Sequence, residues 1–190
     1  MRAMPAARSV IGSPAMPSTD AIWERLAAVP DPEIPVISIV DLGIVRDVGI
    51  SAEGVCTVTL TPTYSGCPAT EVIAADVREA LSSLGCEQVV IATQLSPAWT
   101  TDWMNEDTKA KLREYGIAPP HVMALGEQTI DISRIRPFGL SMTQVRVAPV
   151  ACPRCESIST ETLSQYGSTP CKAQYRCLAC REPFDYFKPH

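Results

Sequence analysis

Apolar positions in the first hundred residues recur with two different periods, and the changes of period mark out the elements. Ile22, Trp23 and Leu26 fall on one side of a helix that Ser18 can cap and that carries Asp20 in its first turn. That helix must stop before Pro30, and Asp31-Pro-Glu-Ile-Pro-Val36 cannot continue it, because each proline lacks an N–H and disfavours helical angles in its predecessor. The segment is predicted as a stiff, extended loop carrying the carboxylates of Asp31 and Glu33. Alternation then takes over. Ile44 to Ile50 and Val55 to Thr61 predict two strands joined as a hairpin through Ser51-Ala-Glu-Gly54, with Cys56, Val58 and Leu60 facing the core. Three- and four-residue steps return at Ile73, Val77, Ala80, Leu81 and Leu84, which predicts a helix from Ala69 to Leu84 ended by Gly85. A strand from Gln88 to Leu95 completes a helix, hairpin, helix and strand unit.

Beyond residue 97 the pattern weakens. Pro97-Ala-Trp-Thr-Thr-Asp-Trp-Met104 offers two tryptophans to dock the chain on the first unit. Asn105 can start a helix with Glu106 and Asp107 at its positive end and Lys111 and Arg113 near its negative end, stopped by Gly116. Between Ile117 and Val147 only Thr129 to Ile132 and Gln144 to Val147 look strand-like, among punctuating prolines. The division that follows is an extension over 1–17, a small α/β domain over 18–97, a helix and connector over 98–148, and a cysteine-rich tail over 149–190. The fold class is α+β.

Composition bounds the function. A chain of 190 residues with 46% hydrophobic residues can bury one ordinary core plus a small appendage. No run approaches the ~18 apolar residues of a membrane span, so no membrane is expected. Residues 1–17 lack the apolar stretch of a secretory signal, so the expected location is cytoplasmic. The net charge of −5, with no basic stripe in the tail, argues against a nucleic-acid partner.

Five of the eight cysteines fall in the tail, as Cys152-Pro-Arg-Cys155, then Cys171, then Cys177-Leu-Ala-Cys180. A two-residue spacer lets both thiolates of a knuckle point at one ion, and two knuckles complete a tetrahedral sulfur shell. Zinc suits that shell best, with rubredoxin-like iron as the alternative. Residues 149–190 are too few for a self-sufficient core, and small domains of this size lean on a metal or disulfides. Cys152, Cys155, Cys177 and Cys180 are the expected ligands. Cys171 makes a fifth thiol for four places and stands as a substitute ligand.

Cys67 is the second candidate site. It lies between Gly66 and Pro68 directly before a helix, which predicts it as the N-cap with Pro68 at the first helical position. Unpaired N–H groups and the helix dipole favour the thiolate there, the form that binds metal or attacks an electrophile. The competing reading is a cysteine that only caps or packs. The two histidines, His121 and His190, stand in the connector and at the terminus, so no Cys-His arrangement supports acyl transfer. No glycine-rich phosphate cradle occurs either. Cys56 and Cys86 are assigned to structure.

These residues carry a resemblance. Asp31-Pro-Glu-Ile-Pro-Val-Ile-Ser-Ile-Val-Asp-Leu-Gly-Ile-Val45, followed by Thr61-Pro-Thr-Tyr-Ser-Gly-Cys-Pro-Ala-Thr70, resembles the SufT-like metal-sulfur cluster assembly domain, a family associated with iron-sulfur protein maturation. Pro97-Ala-Trp-Thr-Thr-Asp-Trp-Met104, Leu112-Arg-Glu-Tyr-Gly-Ile117, Cys152-Pro-Arg-Cys155 and the string from Tyr166 to Lys188 resemble the PaaD family, an accessory component of phenylacetyl-CoA epoxidase complexes. Together the similarity covers 18–117 and 149–190. The stretch from Ala118 to Val150 matches nothing expected, and Lys188-Pro-His190 lacks a final cysteine expected in relatives. The resemblance implies an accessory, non-catalytic protein of aerobic phenylacetate breakdown, working with a di-iron oxygenase and a flavin and iron-sulfur reductase that place one oxygen atom in the ring of phenylacetyl-CoA. It further implies Cys67 with Asp31 and Glu33 as an assembly site for transient iron or an iron-sulfur cluster, and a tail that is a zinc ribbon. The alternative is a structural or electron-relay subunit of the oxygenase; homo-oligomerisation is left open.

Overall fold

The computed structural model describes residues 16–121 and 149–190. All but the last two residues of the predicted extension, and the strand-like stretches at 129–132 and 144–147, lie outside the described residues.

Helix α1 (Thr19–Ala27) begins as its sequence requires, with the Ser18 hydroxyl accepting the Ala21 N–H at 3.2 Å, and it buries Ile22 and Leu26. Strands β1 (Val45–Ile50) and β2 (Val55–Leu60) form the expected antiparallel hairpin. Helix α2 (Ala69–Ser83) then crosses over so that β3 (Gln88–Thr93) lies parallel to β2, giving the order β1-β2-β3. A parallel neighbour requires such a crossover. Arg25 ties the two helices together by donating to the Ser83 hydroxyl at 2.9 Å and the Ala80 carbonyl at 3.3 Å.

Two local predictions need correction. The acidic loop is a tight turn, because the Asp31 carboxylate Oδ1 accepts both the Glu33 N–H (2.9 Å) and the Ile34 N–H (2.8 Å). Prolines exclude helix, and the aspartate then selects a turn over extension. Cys67 stands one residue outside the N-cap position, which Pro68 occupies with helical angles of φ −67° and ψ −24° and no side-chain capping bond. Gly66, at φ +86°, makes the reversal that brings the Cys67 N–H onto the Tyr64 carbonyl at 3.2 Å.

The second sheet has the order β4-β7-β6-β5. Its three antiparallel strands, β5 (Thr160–Ser164), β6 (Lys172–Cys177) and β7 (Pro183–Phe187), come from the tail. Its edge β4 (Ile117–Ala118) directly follows helix α3 (Glu106–Tyr115) and pairs parallel to β7. The helix is capped by Asn105 and ends at Gly116 in the left-handed region, φ +95°.

The first domain and the ribbon share one core. Trp99, 4% exposed, donates its indole N–H to the Leu42 carbonyl at 2.8 Å and packs its ring against Phe187 at 6.0 Å between centroids. Phe187 and Cys171, both from the tail, belong to the same buried cluster as Ile34, Leu42, Leu60 and Ile73 of the first domain. Across the sheet, Ala118, Val150, Cys152, Ala173, Cys177, Phe184 and Tyr186 form a separate small core. No helix among the described residues is long and apolar enough to cross a membrane.

Candidate functional site

The ribbon quartet is built from two similar turns. After each knuckle the chain passes through a left-handed residue, Glu156 at φ 60° and Arg181 at φ 69°, an unusual conformation for a residue with a Cβ. The turns are closed by the Glu156 N–H on the Cys152 carbonyl at 2.9 Å and by the Cys180 N–H on the Cys177 sulfur at 3.4 Å. That N–H is the main reason the Cys177 thiol is held down at about 6. The Cys152 and Cys180 sulfurs lie 3.8 Å apart, the Cys155 and Cys177 sulfurs 3.6 Å apart, and all four within 4.8 Å of one another. Metal–sulfur bonds of about 2.3 Å in a tetrahedron require edges of about 3.8 Å. The spacing fits a tetrahedral thiolate-bound ion.

Cys171 is not in this group. It is 6% exposed, its sulfur lies 2.9 Å from the Thr169 hydroxyl and 3.9 Å from Glu33 Oε2, and it faces the first domain. The reason is topological: Cys171 precedes β6 at the end of that strand remote from Cys177, so the length of the strand separates it from the knuckles.

Asp31, Glu33, Cys67 and Cys171 line one cavity of about 20 Å³, the space of a single water or ion. Ile34, Leu42, Ile44, Leu60, Ile73 and Phe187 supply its apolar wall. The three sequence-predicted residues of the second site are therefore neighbours, although a hairpin and two loops separate Glu33 from Cys67 along the chain. Burial raises the Asp31 carboxyl above its ordinary value, opposed by the two N–H groups it accepts; the nearby Glu33 adds to the rise and Lys172 offsets it. Burial likewise pushes the Cys171 thiol up.

Tyr64 completes the surroundings. Its hydroxyl sits beside the Cys67 thiol and is pushed up to about 12, chiefly by burial and then by Cys67, with smaller contributions from Cys171 and Glu33. The hydroxyl oxygen has no aligned hydrogen-bond partner among the described residues. A buried polar group left without a partner is costly, and this one lies next to Cys67, a residue that lines the cavity. Tyr64 lies only three residues before Cys67 in the chain, whereas nothing in residue order places Cys171, Thr169 and Phe187 here. The only signal for Cys171 was numerical, a thiol more than the quartet needs.

The comparisons with known proteins fall on the same two halves. Residues 19–93 match the family model described as iron-sulfur cluster assembly protein, and residues 140–188 match the PaaD zinc beta ribbon domain. The chain thus joins a domain of the iron-sulfur cluster assembly protein family to a zinc-ribbon domain that holds a four-cysteine group. Over the whole length, the chain is 48% identical across 174 residues to the putative D component of the 1,2-phenylacetyl-CoA epoxidase of Escherichia coli K12, covering 92% of this chain and 94% of that one. The chain belongs to the PaaD family of phenylacetyl-CoA epoxidase components. Its first half is also 40% identical over 92 residues to the Fe-S protein maturation auxiliary factor of Porphyromonas gingivalis, covering 48% of this chain and 87% of that one. The corresponding SufT factor of Staphylococcus aureus is 39% identical over 83 residues, covering 43% and 93%. A solved structure of a DUF59 domain from Bacillus anthracis aligns with a TM-score of 0.46 at 30% identity, covering 49% of this chain and 89% of that one.

Proposed function

We propose that this protein is a maturation factor for the phenylacetyl-CoA ring epoxidase, in which Cys67 receives iron or an iron-sulfur cluster in transit to the oxygenase or reductase. The observation that carries this reading is the meeting of Cys67 and Glu33 in one apolar cavity, within the half of the chain that is similar to Fe-S maturation factors. Asp31 holds the turn that aims Glu33, since its carboxylate accepts the Glu33 N–H. Apolar walls keep water from competing for the cargo.

The ribbon serves as scaffold and docking surface. Zinc held by Cys152, Cys155, Cys177 and Cys180 would supply the order that so small a sheet cannot generate from its own core. The exposed Ile158, Leu163, Tyr166 and Leu178 lie on the tail and offer contact area to a client protein. This assignment makes the protein cytoplasmic and non-catalytic. Replacing Cys67 with Ser in cells that express the epoxidase should lower the iron-sulfur content of the reductase or the iron content of the oxygenase while this protein stays folded. Full metal occupancy in both clients of that strain would contradict the assignment.

A further inference from the structure

Three features of the cavity are left over when Cys67, Asp31 and Glu33 are accounted for. Cys171 reaches the cavity from the ribbon, 138 positions from Glu33 in sequence, with its sulfur 3.9 Å from the Glu33 carboxylate. Phe187, also from the ribbon, forms part of the apolar wall. The cavity, of about 20 Å³, has room for a single ion.

The donor chemistry is mixed: two thiols, from Cys67 and Cys171, and a carboxylate, from Glu33. Thiolates select borderline and soft cations, and a carboxylate beside them extends the set to Fe²⁺, Co²⁺ and Zn²⁺ while disfavouring Mg²⁺ and Ca²⁺. Three groups that can all carry negative charge face one another across an apolar cavity, an arrangement that a cation relieves. Lys172, 4% exposed, brings a positive charge that acts on both Asp31 and Cys171.

The geometry differs from that of a resident-metal site. Among the described residues the ribbon quartet is the only group of three or more such donors drawn within 4.8 Å of one another. The cavity donors are set wider, so an ion there would be held by a shell that is easily opened. Because Cys171 belongs to the ribbon, movement of the ribbon would withdraw one ligand and enlarge the opening together.

We infer that the ribbon completes the cargo site: Cys171 is the second thiolate ligand, with Cys67 and Glu33, for a single divalent transition-metal ion, Fe²⁺ in function. Binding releases one proton from each thiol that ionises and changes no oxidation state. The inference rests on the reading of Cys67 as the cargo residue and extends it to the ribbon.

Cobalt titration of the full-length, zinc-loaded chain under anaerobic conditions tests it, with zinc followed separately by elemental analysis. The thiolate-to-cobalt charge-transfer band should report two thiolates beyond the ribbon. Cys67→Ser and Cys171→Ser should each remove about half of that band at saturation. Each should also weaken cobalt binding by more than the about 10- to 100-fold that loss of a partner outside the direct ligands costs. Glu33→Gln should weaken binding and keep the full band. If Cys171→Ser leaves band and affinity unchanged while Cys67→Ser abolishes both, the inference falls and Cys67 stands alone as ligand. If the unaltered protein takes up no cobalt beyond the ribbon, this inference and the metal-carrying role of Cys67 both fall. Should Cys171→Ser lose its zinc, X-ray absorption at the cobalt edge of the unaltered protein decides the matter: two sulfur neighbours support the composite site and one overturns it.

Discussion

The ribbon quartet and the cavity at Cys67 are both cysteine sites, yet they are constructed on opposite principles. In the quartet, two short knuckles supply four identical donors whose sulfurs are already spaced for a tetrahedral ion. In the cavity, donors of two kinds come from distant parts of the chain and leave about 20 Å³ between them. A closed shell of four thiolates suits an ion that never leaves, because every coordination position belongs to the protein. An open, mixed shell whose last donor comes from the second sheet suits an ion that must be passed on.

The largest expected difference lies in stability. Cys152→Ser should cost the ribbon most of a metal-binding contribution on the order of 10 kcal/mol or more, and should appear as loss of bound metal with loss of protection of the amides of β5, β6 and β7 in hydrogen exchange. Because Phe187 and Cys171 pack into the common core, the first domain should also melt at lower temperature. Cys67→Ser should leave both quantities close to those of the unaltered protein. Equal effects of the two substitutions would erase the distinction between the sites.

A smaller effect sharpens the description of the cavity. Asp31→Ala removes the acceptor of two N–H groups and should destabilise by about 1–3 kcal/mol, whereas Asp31→Asn keeps an oxygen in place. The pH dependence has a definite sign. A carboxyl raised in the folded state contributes stability that is fully present below its ordinary value of 3.8 and lost as pH rises through the raised value. The stability difference between the unaltered protein and Asp31→Asn should therefore move in favour of the unaltered protein on acidification. Chemical unfolding at a series of pH values measures it, and movement in the other direction would show that the Glu33 and Ile34 N–H groups, helped by Lys172, hold Asp31 ionised.

Most of the local architecture could be read from residue order. The Ser18 cap, the alternation of Cys56, Val58 and Leu60, and the three- and four-residue steps from Ile73 to Leu81 are short-range patterns, and the elements appear where those patterns place them. The knuckles are also local, with two residues between the ligands of each pair. The two-residue strand β4 carries no periodicity at all and exists because α3 delivers it to the edge of β7. Cys171 depended on tertiary docking in the same way. Its place at the cavity follows from Trp99 and Phe187 holding the ribbon against the first domain, and only a surplus thiol hinted at it. The tight turn at Asp31 was hidden because two prolines suggest extension, while the carboxylate Oδ1 takes two backbone donors.

The central claim is that one metal stays and another passes through, and a single partition experiment addresses it. The full chain, with zinc in the ribbon and Fe²⁺ added under anaerobic conditions, is challenged with the apo-reductase or apo-oxygenase, and both metals are then measured in the separated proteins. The account predicts that zinc remains with this protein, that iron leaves for the client, and that Cys67→Ser, with its weakened site, delivers far less iron than the unaltered protein. Iron retained by the Cys152, Cys155, Cys177 and Cys180 quartet, with no iron bound through Cys67, would contradict it.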